Sequence, residues 1–434
     1  MKDFLIELFA LLNAEYNYAV LRNFDGLPER IDSRDIDLLI AKPELKRLKP
    51  LLPELAGKHG CRILYTNSDN QFFTIVFGDG DANLFQLDFQ YNFAWMGIDL
   101  LDEREVLKKR LFNGRVYHLD ADDIFLPKYL YSRILGAKYP EKYTAAREDA
   151  VSRFGDEIDR ILNRLSLNAG GLAYWDAAGK WKLRFRSFIA AFRSSPWQAT
   201  TRMTDFLFQY FWSLFFRRGM MVSFSGPDGS GKTTVIELVC DRFLVNDPHL
   251  LHFRPTLWPN LGEIGAQTGI VRDVDRNFDR PHRGGRKGKL SSLIRLGYYS
   301  SDYIIGYLLK IMPHRWRKEI VFFDRYFTDI IVDGERSSIF LNCKFLAWLR
   351  HFIPSCEFNF LFKVDPERIL TRKQELSKER IELIYFRMEY LASRDRRYYW
   401  IDNNGTPEQA VKQIIGVMLE KRHPKYVKKL SAQS

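Results

Sequence analysis

Cysteine is scarce in this sequence: Cys61, Cys240, Cys343 and Cys356 are the four thiols in 434 residues. They are scattered, without the spacing of a metal site or of a disulfide framework, so buried thiols in a reduced cytoplasm are the expectation. Long apolar runs are missing too, and no stretch approaches the roughly 20 residues a membrane span needs. The opening segment carries Asp3 and Glu7 within its apolar residues and has no small-residue cleavage site, which reads as an amphipathic helix and not as a signal peptide. A surplus of acid is absent as well: 66 Lys and Arg against 54 Asp and Glu leave a net charge of +12. That balance favours anionic partners such as nucleotides, phosphorylated sugars, nucleic acid or an acidic lipid surface. Dispersed basic residues with no aromatic recognition motif set nucleic acid aside.

What is present is globular, with 46% hydrophobic and 15% aromatic residues. The length suggests two or three domains. The chain is organised around MMVSFSGPDGSGKTTV, residues 220–235, where an apolar strand passes through a glycine-rich turn into a helix. The turn, Gly226-Pro-Asp228-Gly229-Ser230-Gly231-Lys232-Thr233, has Walker A spacing, with Thr234 following. Glycines let successive backbone N–H groups converge on phosphate oxygens, and the helix aims its positive end at the same point. Lys232 is placed for the β- and γ-phosphates of ATP, and the Thr233 hydroxyl for Mg²⁺.

Ahead of this loop, strands are expected at 19–21, 35–40, 61–66, 72–77 and 84–89, and a helix at 43–58. In DIDLLI, alternation puts Asp35 and Asp37 on one face, as two carboxylates sharing a divalent metal require. LFQLDF places Asp88 among apolar residues, where an unpaired carboxylate is costly, so it reads as a third metal-facing acid. With these motifs residues 1–165 resemble the nucleotidyltransferase superfamily, which implies an α+β domain with a mixed-sheet palm and Mg²⁺ held by Asp35, Asp37 and Asp88. The family's Gly-Ser pair before the acidic strand is missing, and Arg22 and Asn23 stand near its place. The domain is expected with or without retained catalysis.

Residues 166–181 are rich in Gly, Ala and Asn and read as a boundary loop, opening a basic, aromatic linker at 166–219. Within it MTDFLFQYFWSLFF, 203–216, is apolar nearly all round. On a helix it is either buried as a connector or laid against an anionic membrane surface, with Arg217 and Arg218 at its end. The second alternative would put the protein at the inner face of a membrane.

From residue 220 to 434, strands at 220–225, 250–253, 320–323, 358–364 and 399–401 alternate with helices, which predicts an α/β domain with a parallel sheet and helices on both faces. Each strand ends in polar residues, and ligands bind at the carboxyl ends of such strands. Asp324 and Arg325 follow a buried strand, an acid for a metal-bound water or acceptor hydroxyl and a fork for phosphate oxygens. Arg368, Arg372, Lys373, Lys378 and Arg380 suit a mobile lid over the transferring phosphate. The tail 421–429 is basic and reads as a solvated surface.

In order, GPDGSGKTT, FDRY, VDPERILTR, ERIE and YYWID resemble thymidylate kinase, a P-loop nucleoside-monophosphate kinase. The resemblance implies roles for Lys232 and Thr233 in the loop, Asp228 at the acceptor's sugar hydroxyl, Arg325 at its phosphate, Arg372 and Arg380 in the lid, and Asp302 and Arg254 on the acceptor side. Three positions depart from the pattern. Tyr303 replaces the arginine that grips the acceptor phosphate, TDIIVDG with Asp329 and Asp333 replaces the serine and AYQ near the base, and Phe253-Arg254-Pro255 replaces Arg-Glu-Pro. Losing a cation and gaining two carboxylates favours a neutral, hydroxyl-rich acceptor over a dianionic nucleotide. Asp329 and Asp333, four apart, are expected to share a helix face there. The acidic-strand domain, the Arg-Pro-His triplet at 280–282, SSDYIIGY and DRYFTDIIVDGER together also resemble thymidylate kinase-like proteins of bacterial surface-polysaccharide synthesis. The resulting expectation is a kinase acting on a sugar or glycan end, with true dTMP kinase, a bifunctional kinase and nucleotidyltransferase, and a non-catalytic ATP-binding module as alternatives.

Overall fold

The computed structural model of the chain describes residues 1–31, 33, 35–120, 122–136, 144–216, 219–243, 248–259, 288–372 and 376–432. The triplet at 280–282, Arg217, Arg218 and Lys373 lie outside the described residues. The chain divides into two compact units, Met1–Phe216 with Leu419–Ser434, and Arg217–Met418. The stretch expected as a linker, 166–219, thus falls within the first unit as far as Phe216.

In the first unit the strands are β1 (Tyr18–Val20), β2 (Asp35–Ile40), β3 (Arg62–Ser68), β4 (Phe72–Gly78), β5 (Leu84–Gln90), β6 (Phe93–Trp95), β7 (Ile98–Leu101), β8 (Leu111–Phe112) and β9 (Tyr117–His118). Seven form a mixed sheet in the order β3-β4-β5-β2-β1-β9-β8, while β6 and β7 make a separate ribbon. Helix Lys2–Glu15 buries Phe4, Leu5, Leu8, Phe9 and Leu12, one apolar stripe at helical spacing. Phe4 meets Phe77 and Phe85 with ring centres 5.0 and 5.5 Å apart. The helix expected at 43–58 is two, Lys42–Leu48 and Leu52–Lys58, because Pro50 cannot donate to the preceding turn and Pro53 favours a new first turn.

The boundary loop expected at 166–181 contains helix Gly171–Ala177. Asn163 Oδ1 accepts from the N–H groups of Gly170 and Gly171 at 3.0 and 2.8 Å, and Trp175, fully buried, donates from Nε1 to Leu162 O at 3.0 Å. Burying an indole of this size contributes about 2–3 kcal/mol, enough to order a short helix that weak local propensity leaves undecided. The basic tail lies in helix Pro407–Ser431: Lys421, Lys425 and Lys428 are exposed, as a solvated surface requires, while on the other face, in the first unit, His423 Nδ1 accepts from Ile63 N–H at 3.0 Å and Tyr426 and Leu430 are buried.

The second unit holds β10 (Met221–Ser225), β11 (His249–His252), β12 (Val321–Asp324), β13 (Phe358–Lys363) and β14 (Tyr398–Asp402), all parallel, in the order β11-β12-β10-β13-β14. The central strand β10 is buried throughout, and Phe224 packs against Phe322, Phe360 and Phe362. Helices cover the sheet, as buried parallel strands require. Their common direction brings Ser225, His252, Asp324, Lys363 and Asp402 to one edge, the carboxyl edge at which ligands bind in sheets of this kind.

Candidate functional site

The glycine-rich turn after β10 takes the shape its sequence demands. Gly229 and Gly231 adopt φ of +84° and +76°, a region closed to most side chains. Helix Lys232–Arg242 starts immediately afterwards. Lys232 is buried, its Nζ donating to the carbonyls of Gly226 and Pro227, both at 2.9 Å. Burial, reinforced by the neighbouring Arg325 charge, pulls its pKa down to about 7. Asn403, just past β14, donates from Nδ2 to Ser230 O at 2.7 Å and braces the loop from the far strand. Sequence reasoning missed Asn403, although its place after a strand that ends at the ligand edge is the signal that could have found it.

Arg325 follows β12 with φ of +72°, a strained conformation for a non-glycine residue. Its guanidinium donates to Asp329 Oδ1 at 2.7 Å and pairs with Asp228 of the loop. Burial opposes that charge, but Asp329 and Asp228 outweigh it and hold the group firmly protonated. Asp228 also pairs with Arg336, a second residue that sequence reasoning passed over. Asp324, the last residue of β12, pairs through Oδ2 with His252 Nδ1 at 3.2 Å, while its Oδ1 is buried without a hydrogen-bond partner among the described residues. In the lid region Arg380 holds Asp333 at 2.7 Å and Glu335 at 2.6 Å, and the exposed Arg372 reaches the loop, its Nη1 3.7 Å from where a Cβ on Gly231 would stand. Glu335 also lines a cavity of about 650 Å³ with Ile330, Ile331, Gly334, Ile339 and Arg387.

Five residues expected to face an acceptor, Asp329, Asp333, Asp302, Arg254 and Tyr303, are buried and already have partners within the fold. Asp329 is 2% exposed, and its second oxygen accepts from Ser225 Oγ at 2.7 Å, so both carboxylate oxygens are engaged within the fold. It shares no helix with Asp333, because helix Phe327–Val332 ends one residue earlier and Asp333 leaves it at φ −136°. Asp302 and Arg254, 0% and 4% exposed, hold each other at 2.6 Å, and Asp302 Oδ1 also accepts from Leu257 N–H at 2.7 Å. Tyr303 is fully buried, its hydroxyl donating to Phe253 O at 2.5 Å and its ring edge-on to Tyr326. Tyrosine fits this core because its one polar group, the hydroxyl, is satisfied by a carbonyl.

In the first unit, the register of β2 and β5 sets Asp37 directly beside Asp88, and with Asp35 their oxygens gather within 4.8 Å. Arg22 donates to Asp35 Oδ2 at 2.6 Å and pairs with Asp37. Asp88 accepts from Thr74 Oγ1 at 2.5 Å and from Gln86 Nε2. Burial raises the pKa of Asp37, against Arg22, and that of Asp88. The three expected carboxylates are together, and the donor set is one that Mg²⁺ accepts. Arg22 supplies the counter-charge at two of the three.

No protein-family model matches the sequence, and no curated protein does. Among solved structures the chain is similar to a thymidylate kinase from Ehrlichia chaffeensis, at 18% identity and a TM-score of 0.31, over 46% of this chain and 98% of that one. It is also similar to the thymidylate kinase from Candida albicans, at 17% identity and a TM-score of 0.35, over 48% of this chain and 93% of that one. The P-loop α/β fold of the second unit stands on its own strand order and on the strand, loop and helix around Lys232.

Proposed function

We propose that the second unit is a Mg-ATP-dependent phosphotransferase acting on a neutral, hydroxyl-rich acceptor, a sugar, glycan end or sugar-like metabolite, in surface-polysaccharide synthesis. The observation that carries the reading is the buried Lys232 at the head of its helix, with Asp324 Oδ1 on the adjoining strand buried and without a hydrogen-bond donor among the described residues. A buried carboxylate oxygen left without a donor is one that suits a cation. Thr233 and Asp324 would hold Mg²⁺, which supplies charge neutralisation between the β- and γ-phosphates. The loop N–H groups bind phosphate, Lys232 exchanges its loop carbonyls for phosphate oxygens, and Arg372 and Arg380 close over the site and exclude water.

Charge matching supports the neutral acceptor. Arg254, Arg325, Arg336 and Arg380 already face Asp302, Asp228, Asp329, Asp333 and Glu335, so the cations on this side are balanced by carboxylates. A dianionic nucleotide would have to break those pairs. The cavity beside Glu335, at about 650 Å³, has the size of a small-molecule site. A panel of sugars, oligosaccharides and nucleotides read out as ADP release tests the proposal: stimulation by a neutral glycan and not by dTMP is expected, and strong stimulation by dTMP alone overturns it.

A second reading concerns the first unit, where the convergence of Asp35, Asp37 and Asp88 favours nucleotidyl transfer as an added activity. Pyrophosphate release that survives Lys232→Ala and vanishes in Asp37→Ala is its signature. Membrane attachment draws on helix Pro196–Phe216, where Phe208, Tyr210 and Phe211 are 66%, 51% and 56% exposed. No helix among the described residues is long and apolar enough to cross a membrane, so contact would be peripheral. Flotation with anionic liposomes tests this, and protein left in solution removes it.

A further inference from the structure

Away from the phosphate-binding edge, three side chains of the second unit meet that phosphoryl transfer leaves without a role. Glu319 Oε2 lies 2.9 Å from His249 Nε2 and 2.6 Å from His314 Nδ1. The imidazole centres are 3.7 Å apart with their planes at 52°. One ligand atom from each residue lies within 4.8 Å of the others.

These groups come from three segments: the first residue of β11, the short helix Met312–Trp316, and the turn before β12. Main-chain bonds hold each in place. His249 N–H donates to Ile320 O at 3.1 Å, and Glu319 N–H to His314 O at 3.1 Å. Gly219 sits so close that a Cβ there would come within 1.9 Å of the Glu319 carbonyl oxygen, which leaves the turn no room to drift. The strands are parallel and His249 opens β11, so the cluster occupies the edge of the sheet opposite the phosphate loop.

We infer that His249, His314 and Glu319 form a binding site for a borderline divalent transition ion of the Zn²⁺ class. Two imidazole nitrogens with one carboxylate select such an ion over Mg²⁺ or Ca²⁺, which prefer oxygen-only shells. Side-chain exposures of 40% for His249 and 29% for His314 leave room for water as a fourth ligand. Zinc-to-ligand distances of about 2.0–2.1 Å put tetrahedral donors roughly 3.3 Å apart, so the two nitrogen-to-oxygen spacings of 2.9 and 2.6 Å need to open by under about 1 Å. In the hydrogen-bonded form a single carboxylate oxygen must serve two imidazoles in van der Waals contact. An ion gives each nitrogen lone pair and the carboxylate its own bond, with each neutral imidazole carrying its N–H on the ring's other nitrogen. It would tie β11, which leads to Arg254, to β12, which leads to Asp324 and Arg325, and so brace the acceptor edge from behind.

The test uses the full chain without an affinity tag, stripped by a chelator and kept in excess Mg²⁺ so that oxygen-only sites are filled. Titration with Co²⁺ is followed by visible absorption, and with Zn²⁺ by thermal unfolding. One equivalent of Co²⁺ with the intense bands of a low-coordinate nitrogen site, and a Zn²⁺-dependent rise in Tm, are expected. His249→Ala and the isosteric Glu319→Gln should each lose both effects while keeping ATP binding, which also reports that the variants are folded. Absence of a stoichiometric Co²⁺ spectrum in the parent chain overturns the proposal. So does a spectrum that survives in the His249→Ala, His314→Ala double variant, since the ion would then be held elsewhere.

Discussion

Arg325 donates to Asp329, four residues on in the helix that follows, across 2.7 Å, with the two side chains only 11% and 3% exposed. The same guanidinium reaches the phosphate loop through Asp228, so one buried charge ties the end of β12 to both the loop and the next helix. Asp329→Asn would leave that charge short of a partner, and breaking a buried pair costs about 3–5 kcal/mol. A matching fall in the urea unfolding midpoint is expected, and an unchanged midpoint would show that the pair does not hold this edge together.

Lys232→Ala removes the cation from the cradle while leaving the backbone path of the loop intact. A charge-assisted hydrogen bond contributes about 1.5–3 kcal/mol, so ATP affinity should fall roughly 10- to 150-fold. Calorimetry measures this, with circular dichroism checking that the fold persists.

The lysine also sets a pH dependence. Burial lowers its pKa from 10.5 to about 7 in the nucleotide-free protein. A depressed folded pKa means that the unfolded chain binds the extra proton between those values, so stability rises as pH increases from 7 towards 10.5 and is lost on the way down. Phosphate oxygens restore the charged form. ATP binding at pH 8.5 should therefore take up protons, seen as a heat that differs between Tris and HEPES buffers. A heat independent of buffer contradicts it.

Asn403→Ala removes the 2.7 Å bond to Ser230 O. The loop carbonyl is then left unsatisfied, and a loss of about 1–3 kcal/mol, or roughly 5- to 150-fold in ATP affinity, is expected. Kinetics should register it in KM for ATP more than in KM for the acceptor.

In the first unit, Arg22→Ala leaves Asp35, Asp37 and Asp88 gathered within 4.8 Å without their guanidinium. Tm should fall, and Mn²⁺ should recover more of the loss in this variant than it adds to the parent chain. Equal Mn²⁺ effects in both would show that Arg22 does not stand in for a cation.

Periodicity in the sequence finds β1 to β5 and the five strands of the second unit to within two residues at either end, because alternation and buried apolar runs are local properties, but it misses β6 to β9, which are two to four residues long and too short to show a period. It misses helix Gly171–Ala177, where the deciding contact is Trp175 against Leu162, and it joins two helices across Pro50. It reads the basic tail as surface, which holds for Lys421, Lys425 and Lys428 but not for the face that buries Tyr426 and Leu430.

The phosphate cradle was determined by the sequence itself, since its function lies in contiguous backbone: glycines at +84° and +76°, and a lysine on the first turn of the helix that follows. The tertiary structure alone decided which charges are available. Asp228 meets Arg336 across 108 positions, Ser230 meets Asn403 across 173, and Arg254 meets Asp302 across 48. Residue type cannot distinguish a carboxylate offered to a substrate from one already closed over an arginine, because that difference is made by burial and by partners the fold brings from elsewhere in the chain.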